Sequence, residues 1–402
     1  MPDRRISLTR RQFLRTATAA AAVPYVITSG ALGAAGRPPA SERIVMGAIG
    51  MGGMGNGDLG SFLGFGEVQV VAVCDVVESK RLAAKERVDR KYGGSGCAAV
   101  NDFREITRRE DVDAVMIATP DHWHALPAID ACTHGKDVYC QKPLSLTVRE
   151  GRAMVAAARK YGCVFSGGSQ RVLGDYGHMA RAVRSGAIGR VQEAFVGVGG
   201  PSRPCDLPAE PVPPGLDWDL WLGPAPWAPF HSQRLRFRAW RDYSGGGMTD
   251  WGAHKFAGAM FAMELHDTGP VEVVPPDGED HKHLTYVFAN GVRMYHGGAR
   301  DITFRGTGGE LSERRPQVAH PAPMPGYRGR GIRGDFLHCV RTRERPFRDV
   351  EFSHRSATVC HLGNIAYRLK RPLTWDPVRE ECPGDDEANR LLDRPKREPW
   401  RL

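Results

Sequence analysis

Three glycines and one aspartate give the first chemical signal. Gly50-Met51-Gly52-Gly53-Met54-Gly55 has the spacing G-x-G-x-x-G, with a further glycine at 53. The apolar run 43–49 leads straight into it, and the residues after it can open a helix. In that setting Gly50 permits a tight turn, Gly52 lets the backbone approach a pyrophosphate, and Gly55 lets the helix pack close to the strand. The phosphates would rest on free N–H groups at the helix start, Gly53 and Met54 among them, at the positive end of the dipole. A second apolar run, Val68–Cys74, ends in Asp75, 20 residues after the last glycine. A carboxylate there accepts hydrogen bonds from ribose hydroxyls and repels a 2′-phosphate, so NAD is expected as cofactor ahead of NADP. The competing use of Asp75 is as a helix N-cap.

The elements that must hold this turn can be read outward from it. Strands are expected at 43–49, 68–74, 113–119, 137–140 and 163–165, and helices at 78–92, 126–135 and 148–161. Strand–helix alternation with short links implies a doubly wound parallel sheet. Ligands of such sheets bind beyond the carboxyl ends of the strands. Thr119-Pro120-Asp121-His122-Trp123-His124 and Gln141-Lys142-Pro143 both fall there.

With these residues in place the chain resembles the glucose–fructose oxidoreductase / inositol dehydrogenase / rhizopine oxidoreductase (Gfo/Idh/MocA) family. The resemblance rests on Gly50–Gly55, Asp75, 118–124, 135–143 and Gly245-Gly246-Gly247-Met248-Thr249-Asp250-Trp251-Gly252-Ala253-His254. It covers nearly all of the chain after the leader, and the stretch 354–365 resembles an exported subgroup of the family. It implies an α/β protein: an N-terminal Rossmann doubly wound parallel sheet, then a C-terminal α+β domain with an open, mainly antiparallel sheet that covers the site and builds oligomers. The expected domains are 43–163 for NAD binding, 164–376 for substrate and oligomerisation, and a tail at 377–402.

The resemblance assigns proton handling at a sugar hydroxyl to Lys142, Asp250 and His254. Asp250 and His254 are four apart, so on one helix they would share a face, and a carboxylate beside an imidazole fixes its tautomer. Lys142 would polarise the reacting oxygen. Thr119, Pro120, His122, His124, Gln141 and Lys142 are expected to touch the cofactor, and Trp123, Gln170, Arg171, Asp250 and His254 the substrate. Arg171 is equally well read as a surface ion pair. Two departures stand out: Gln141 where the family usually has Glu, and Ala257 where it usually has an acid. His122 and His124 have no acid or Cys at ligand spacing, so no metal is expected.

The segment 201–243 is Pro-rich and holds Trp218, Trp221, Trp227 and Trp240. It is expected to be a functional or oligomer-bridging arm with an aromatic core. Arg234, Arg236, Arg238 and Arg241 follow a near-alternating spacing, which predicts a solvated strand face.

The whole chain has 402 residues, 41% hydrophobic and 25% charged, which excludes a disordered chain, a collagen-like fibre and a multi-span membrane protein. Of the formal charge of +9, residues 1–36 carry five arginines against Asp3. The remaining positive charge is scattered, so no nucleic-acid partner is expected. Nine cysteines at irregular spacing, with no C-x-x-C pair, form neither a disulfide framework nor a zinc site. Arg10-Arg11-Gln12-Phe13-Leu14 and the Ala-rich stretch after it read as a twin-arginine signal peptide over 1–36. The twin-arginine translocation machinery is then a partner and the protein is periplasmic, membrane-tethered if the leader stays uncleaved. Outside the cytoplasm no large NAD pool exists. The cofactor must therefore be retained, and hydride must return to the same molecule or pass to a second sugar. The expected function is an NAD-dependent oxidoreductase of a sugar, polyol or glycoside. The alternative is a redox-neutral epimerase, lyase or glycosidase that uses tightly bound NAD catalytically. A homo-oligomer, dimer or tetramer, is expected.

Overall fold

Six short apolar runs assemble into one parallel sheet. They are β1 (Ile44–Ile49), β2 (Val68–Cys74), β3 (Ala98–Val100), β4 (Ala114–Ile117), β5 (Asp137–Cys140) and β6 (Phe165–Gly167), in the order β3-β2-β1-β4-β5-β6. The structure is a computed structural model that describes residues 38–312 and 316–402, so the leader expected at 1–36 lies outside the described residues. Helices cover both faces of the sheet, so its strands are continuously apolar rather than alternating. All four residues of β4 and of β5 are buried. The covering helices are α1 (Gly53–Phe62), α2 (Glu78–Tyr92), α3 (Arg104–Thr107), α4 (Ala125–Thr133) and α5 (Val148–Lys160). Strand order reverses between β1 and β4, which opens a crevice at the carboxyl edge.

The last strand lies two residues later than the spacing predicts. Gly162 turns with φ +66°, and the Asp137 carboxylate accepts the Val164 N–H at 2.7 Å. Residues 162–164 are therefore spent leaving α5. The edge strand β3 is three residues long and carries little pattern of its own.

The second sheet holds β7 (Val191–Val196), β8 (Glu272–Val274), β9 (Leu284–Val287), β10 (Arg293–His296), β11 (Ile302–Gly306), β12 (Gly309–Leu311) and β13 (Leu373–Thr374). Its order is β12-β11-β7-β10-β9-β8-β13, and all pairings are antiparallel except β7 with β10. The remaining helices include α6 (Gly177–Arg184), α7 (Trp218–Leu222), α8 (Gly247–Asp250), α9 (Gly252–Ala262), α10 (Gly331–Thr342) and α11 (Val350–Leu369). Ala194, Val196, Met294 and Phe304 point from the sheet into a core shared with α6, α9 and α11. The opposite face is open. There Phe195 stacks on Tyr295 at 4.7 Å, with the Arg305 guanidinium 4.6 Å from the Phe195 ring. Helix α10 returns to the first sheet, where Ile332, Phe336 and Leu337 join the core under β1 and β2.

The segment between the sheets is an arm with its own aromatic cluster. Trp218 stacks on Trp221 at 4.8 Å, and Phe230, Trp240 and Tyr243 close the cluster, while Trp227 stays exposed. The expected strand of alternating arginines is absent. Residues Ser232–Leu235 and Phe237–Ala239 form two 3₁₀ turns instead. Their N–H groups are satisfied locally, Arg234 N to His231 O and Ala239 N to Arg236 O, so no neighbouring strand is needed. Arg234 is buried, its Nη1 3.3 Å from the Tyr243 hydroxyl. The C-terminal residues strap the arm down. Arg397 donates to the Gly223 carbonyl at 2.9 Å, and Trp400 packs edge-on against Trp123 at 4.8 Å.

Candidate active site

A crevice of about 1130 Å³ opens where β1 and β4 part. Its floor is Gly50, Gly52, Gly53, Met54, Asp75, Thr119, Pro120, Gln141 and Lys142, and the arm roofs it with Trp221, Leu235, Phe237 and Arg238. The glycines divide by role. Gly50 has φ +88°, and a Cβ there would meet the Ala118–Thr119 peptide at 2.7 Å. A Cβ at Gly55 would meet the Gly50 carbonyl at 1.8 Å. A Cβ at Gly52 or Gly53 meets nothing within 4 Å, so the protein's own packing does not require glycine there. Gly52 caps α1 without a side-chain hydrogen bond, leaving first-turn N–H groups open to a ligand. The Thr119 hydroxyl, also in the lining, is buried without a partner. This donor set and the open cradle fit a dinucleotide.

Asp75 stands at the end of β2. Its two oxygens accept the Met51 N–H at 2.7 Å and the Val77 N–H at 2.8 Å. Burial raises its pKa, against the lowering pull of those hydrogen bonds and of Lys80 and Arg81. Val77, not Asp75, occupies the cap position of α2.

The loop after β4 is fastened inward. His124 bonds the Pro143 carbonyl at 2.7 Å and the Thr119 carbonyl at 3.0 Å, and His122 bonds the Trp221 carbonyl at 3.0 Å. Burial lowers both histidines to about 4; a neutral His124 has one N–H and donates to only one of its two carbonyls, and neither ring lines the crevice. Trp123 borders the crevice, but its indole N–H donates to Trp221 O and its ring is sandwiched near Phe103 and Trp400. His122 and Trp123 thus tie the arm to the first sheet, while His124 ties the loop after β4 to the one after β5.

Lys142 and Asp250 do meet. Lys142 Nζ lies 2.5 Å from Asp250 Oδ1. Arg238 Nε reaches the same oxygen at 3.0 Å, from the arm. Burial pushes the Asp250 carboxyl up, but Lys142 and Arg238 outweigh it and hold it below the usual carboxylate range. Asp121 lies nearby in the crevice lining and behaves oppositely. It is buried, with one hydrogen bond from the Ser244 hydroxyl at 2.6 Å, and desolvation raises it to about 7. Two carboxyls driven apart in this way suit one acid and one base.

Asp250 ends α8 and His254 lies in α9, with Trp251 in right-handed helical backbone between them; the Asp250 charge reaches His254, but among the described residues no hydrogen bond joins their side chains. His254 Nδ1 instead pairs with the Ser169 hydroxyl at 2.7 Å, which leaves Nε2 for a ligand. Burial, with the charges of Lys142, Arg171 and Arg348, lowers His254 to about 2. Arg171 is ion-paired with Asp175 and stacks on Trp251 at 4.9 Å, and Gln170 is half-buried beside it. Neither Gln170 nor Arg171 lines the crevice, and Asp250 and His254 stand behind its lining.

Both departures from the family pattern have local reasons. Gln141 donates to Asp58 Oδ2 at 2.7 Å, and Asp58 is fully buried against Arg333. A carboxylate at 141 would face a second carboxylate. Ala257 is fully buried in the core of the second sheet and is not part of the crevice lining.

Three contributors escaped the motif reading: Arg238 was hidden in a false strand pattern, Asp121 inside a histidine-rich loop, and Ser244 carried no signal.

A glycine turn at a switch point, roofed by a second α/β unit that supplies an aspartate and a histidine, defines a dinucleotide-binding oxidoreductase architecture. Comparison with known proteins agrees with this class. Residues 44–169 match the "Oxidoreductase family, NAD-binding Rossmann fold" model, and residues 202–402 match "Oxidoreductase family, C-terminal alpha/beta domain". The chain belongs to the Gfo/Idh/MocA oxidoreductase family. It is 31% identical over 124 residues to a 2,7-anhydro-N-acetylneuraminate hydratase of Mediterraneibacter gnavus, covering 31% of each chain. It is 33% identical over 163 residues to a glycosyl hydrolase family 109 protein of Saccharopolyspora erythraea, covering 38% of this chain and 34% of that one. The matches thus span about a third of these relatives' length. In fold it is similar to scyllo-inositol dehydrogenase from Lactobacillus casei with bound NAD(H) and scyllo-inositol, with a TM-score of 0.57 and 14% identity over 83% of this chain and 99% of that one.

Proposed function

We propose that the protein is an NAD-dependent oxidoreductase acting on a hydroxyl of a sugar, polyol or glycoside, with Lys142, Asp250 and His254 handling the proton. The observation that carries this reading is the 2.5 Å contact of Lys142 with Asp250 at the edge of a crevice floored by the glycine turn. When bound, the dinucleotide supplies hydride exchange with a substrate carbon. Gly52, Gly53 and Met54 would hold its pyrophosphate, and Asp75 its ribose, which favours NAD over NADP. The residues must move the hydroxyl proton as the C–H bond breaks. Lys142 lies in the crevice lining and can hold the reacting oxygen, while Asp250 anchors its ammonium. Neutral His254, with Nδ1 fixed by Ser169, offers Nε2 as a hydrogen-bonding group rather than a charge. Arg238 locks Asp250 from above, so the pair is complete only with the arm in place.

The second reading is a redox-neutral cycle: oxidation to a keto form, elimination or epimerisation at the acidified neighbouring carbon, and reduction by the same cofactor. The strapped roof supports it, since a cofactor beneath Trp221 and Phe237 is poorly placed for exchange. So do relatives named as a hydratase and as glycosyl hydrolases. The twin-arginine reading of residues 1–36 adds periplasmic export, where a retained cofactor is needed. Oligomers would form on the open sheet face around Phe195 and Tyr295.

The test is mass spectrometry of small molecules released from the purified protein, then a screen of sugars and glycosides. Co-purified NAD with turnover and no accumulating NADH is the redox-neutral outcome, and stoichiometric NADH is the net-oxidation outcome. A protein that neither carries nor binds NAD sinks both.

A further inference from the structure

A second cavity lies behind the crevice, between the base of the arm, α11 and the C-terminal strap. Four cations line it: Arg241, Arg368, Lys370 and Arg394, with His361 and Asn364 between them. No aspartate or glutamate is in the lining. Among the described residues, none of the four has a carboxylate within ion-pairing distance.

Neighbouring cations are paired. Arg371, next to Lys370, pairs with both Asp385 and Glu387. Arg152 pairs with both Glu351 and Glu380. Glu150 approaches the cavity from behind but is paired with Lys396 at 3.5 Å. Arg394 is deeply placed. Its one side-chain hydrogen bond goes to the Arg241 carbonyl at 2.8 Å; desolvation works against its ionised form, the more distant carboxylates of Glu150 and Asp242 favour it, and the like charges of Arg241 and Arg368 oppose it. Like charges gathered around a cleft raise the positive potential inside it.

We infer that this cavity is an anion-binding site, distinct from the crevice, for a small ligand bearing a carboxylate, sulfate or phosphate. Arg241 and Arg394 supply donors from the wall, and the exposed Arg368 and Lys370 close over the anion from the rim. Ser244 lines the cavity and also donates to Asp121 in the crevice. An anion in the cavity therefore sits one residue from the reacting centre. The shared chemistry is a cluster of anionic oxygens, offered either by a free inorganic ion or by an acidic sugar.

Phosphate, sulfate and D-glucuronate, with neutral D-glucose as control, are titrated by calorimetry into the full chain at constant ionic strength. Saturable binding of at least one anion is expected, with glucose silent. The Arg368→Ala/Lys370→Ala double variant should weaken it about tenfold or more, since one charge-assisted hydrogen bond is worth roughly that factor. Arg241→Gln gives a second reading from the cavity wall, and Lys142→Ala, in the crevice, should leave the affinity unchanged. Tighter glucuronate than phosphate identifies a sugar acid as the source, and the reverse order an inorganic ion or phosphate ester. No saturable binding, equal binding by the double variant, or loss of binding in Lys142→Ala each overturns the assignment.

Discussion

The crevice and the basic cavity stand back to back, touch through Ser244, and solve the problem of buried charge in opposite ways. In the crevice one carboxylate serves two cations. Asp250 answers Lys142 and Arg238, so the geometry is held before any ligand arrives. In the cavity four cations have no carboxylate within pairing distance. The first arrangement is preorganised, which suits the proton handling proposed for it. The second leaves attraction unspent, which suits a site that recruits a ligand.

The sharpest way to break this comparison is at the crevice pair. Lys142→Ala should lower kcat by about 10³-fold, the scale of a lost acid–base group, with the fold intact by circular dichroism. A loss of less than about tenfold would show that the pair is only structural. Gln141→Glu is next. It sets a carboxylate against buried Asp58 and should cost about 3 kcal/mol of stability near neutral pH, and less in acid, where the two acids can share a proton. Denaturant unfolding at two pH values measures this.

Asp121 gives a smaller, pH-dependent effect. Its folded pKa of about 7 lies above the ordinary 3.8. The stabilisation from its bound proton is therefore fully present below the lower value and is lost as pH rises through the higher one. Asp121→Asn removes that loss, so its stability relative to wild type should improve by about 2 kcal/mol between about pH 5 and pH 8. A flat difference would place Asp121 in contact with water. The smallest effect is expected at the cavity. Arg368→Ala/Lys370→Ala should change stability by less than about 0.5 kcal/mol without added anion, because it removes exposed charges that have no partner.

The first sheet was readable from the sequence because its strands are buried on both faces and its glycines are sterically compelled. The span expected for α2 and the limits of β2 match the structure residue for residue. The arm was not readable. Its alternating arginines mimic a strand, but no neighbouring strand is there to pair with, and the backbone closes into 3₁₀ turns. The meeting of Asp250 with Lys142 depends on two segments 108 residues apart, which the family resemblance brought together and spacing alone would not. The Ser169 hydroxyl that holds His254 lies 85 residues away, so an i, i+4 count carries no signal of it. The basic cavity left no trace at all, since its four cations come from three separate stretches.

The strap has a practical corollary. Trp400 is wedged against Trp123, and Arg397 grips the turn after α7. Prising these last residues loose would unseat the lid over the nucleotide, so a purification handle fused behind Leu402 would be felt at the hydride-transfer end of the molecule, however remote it looks along the chain.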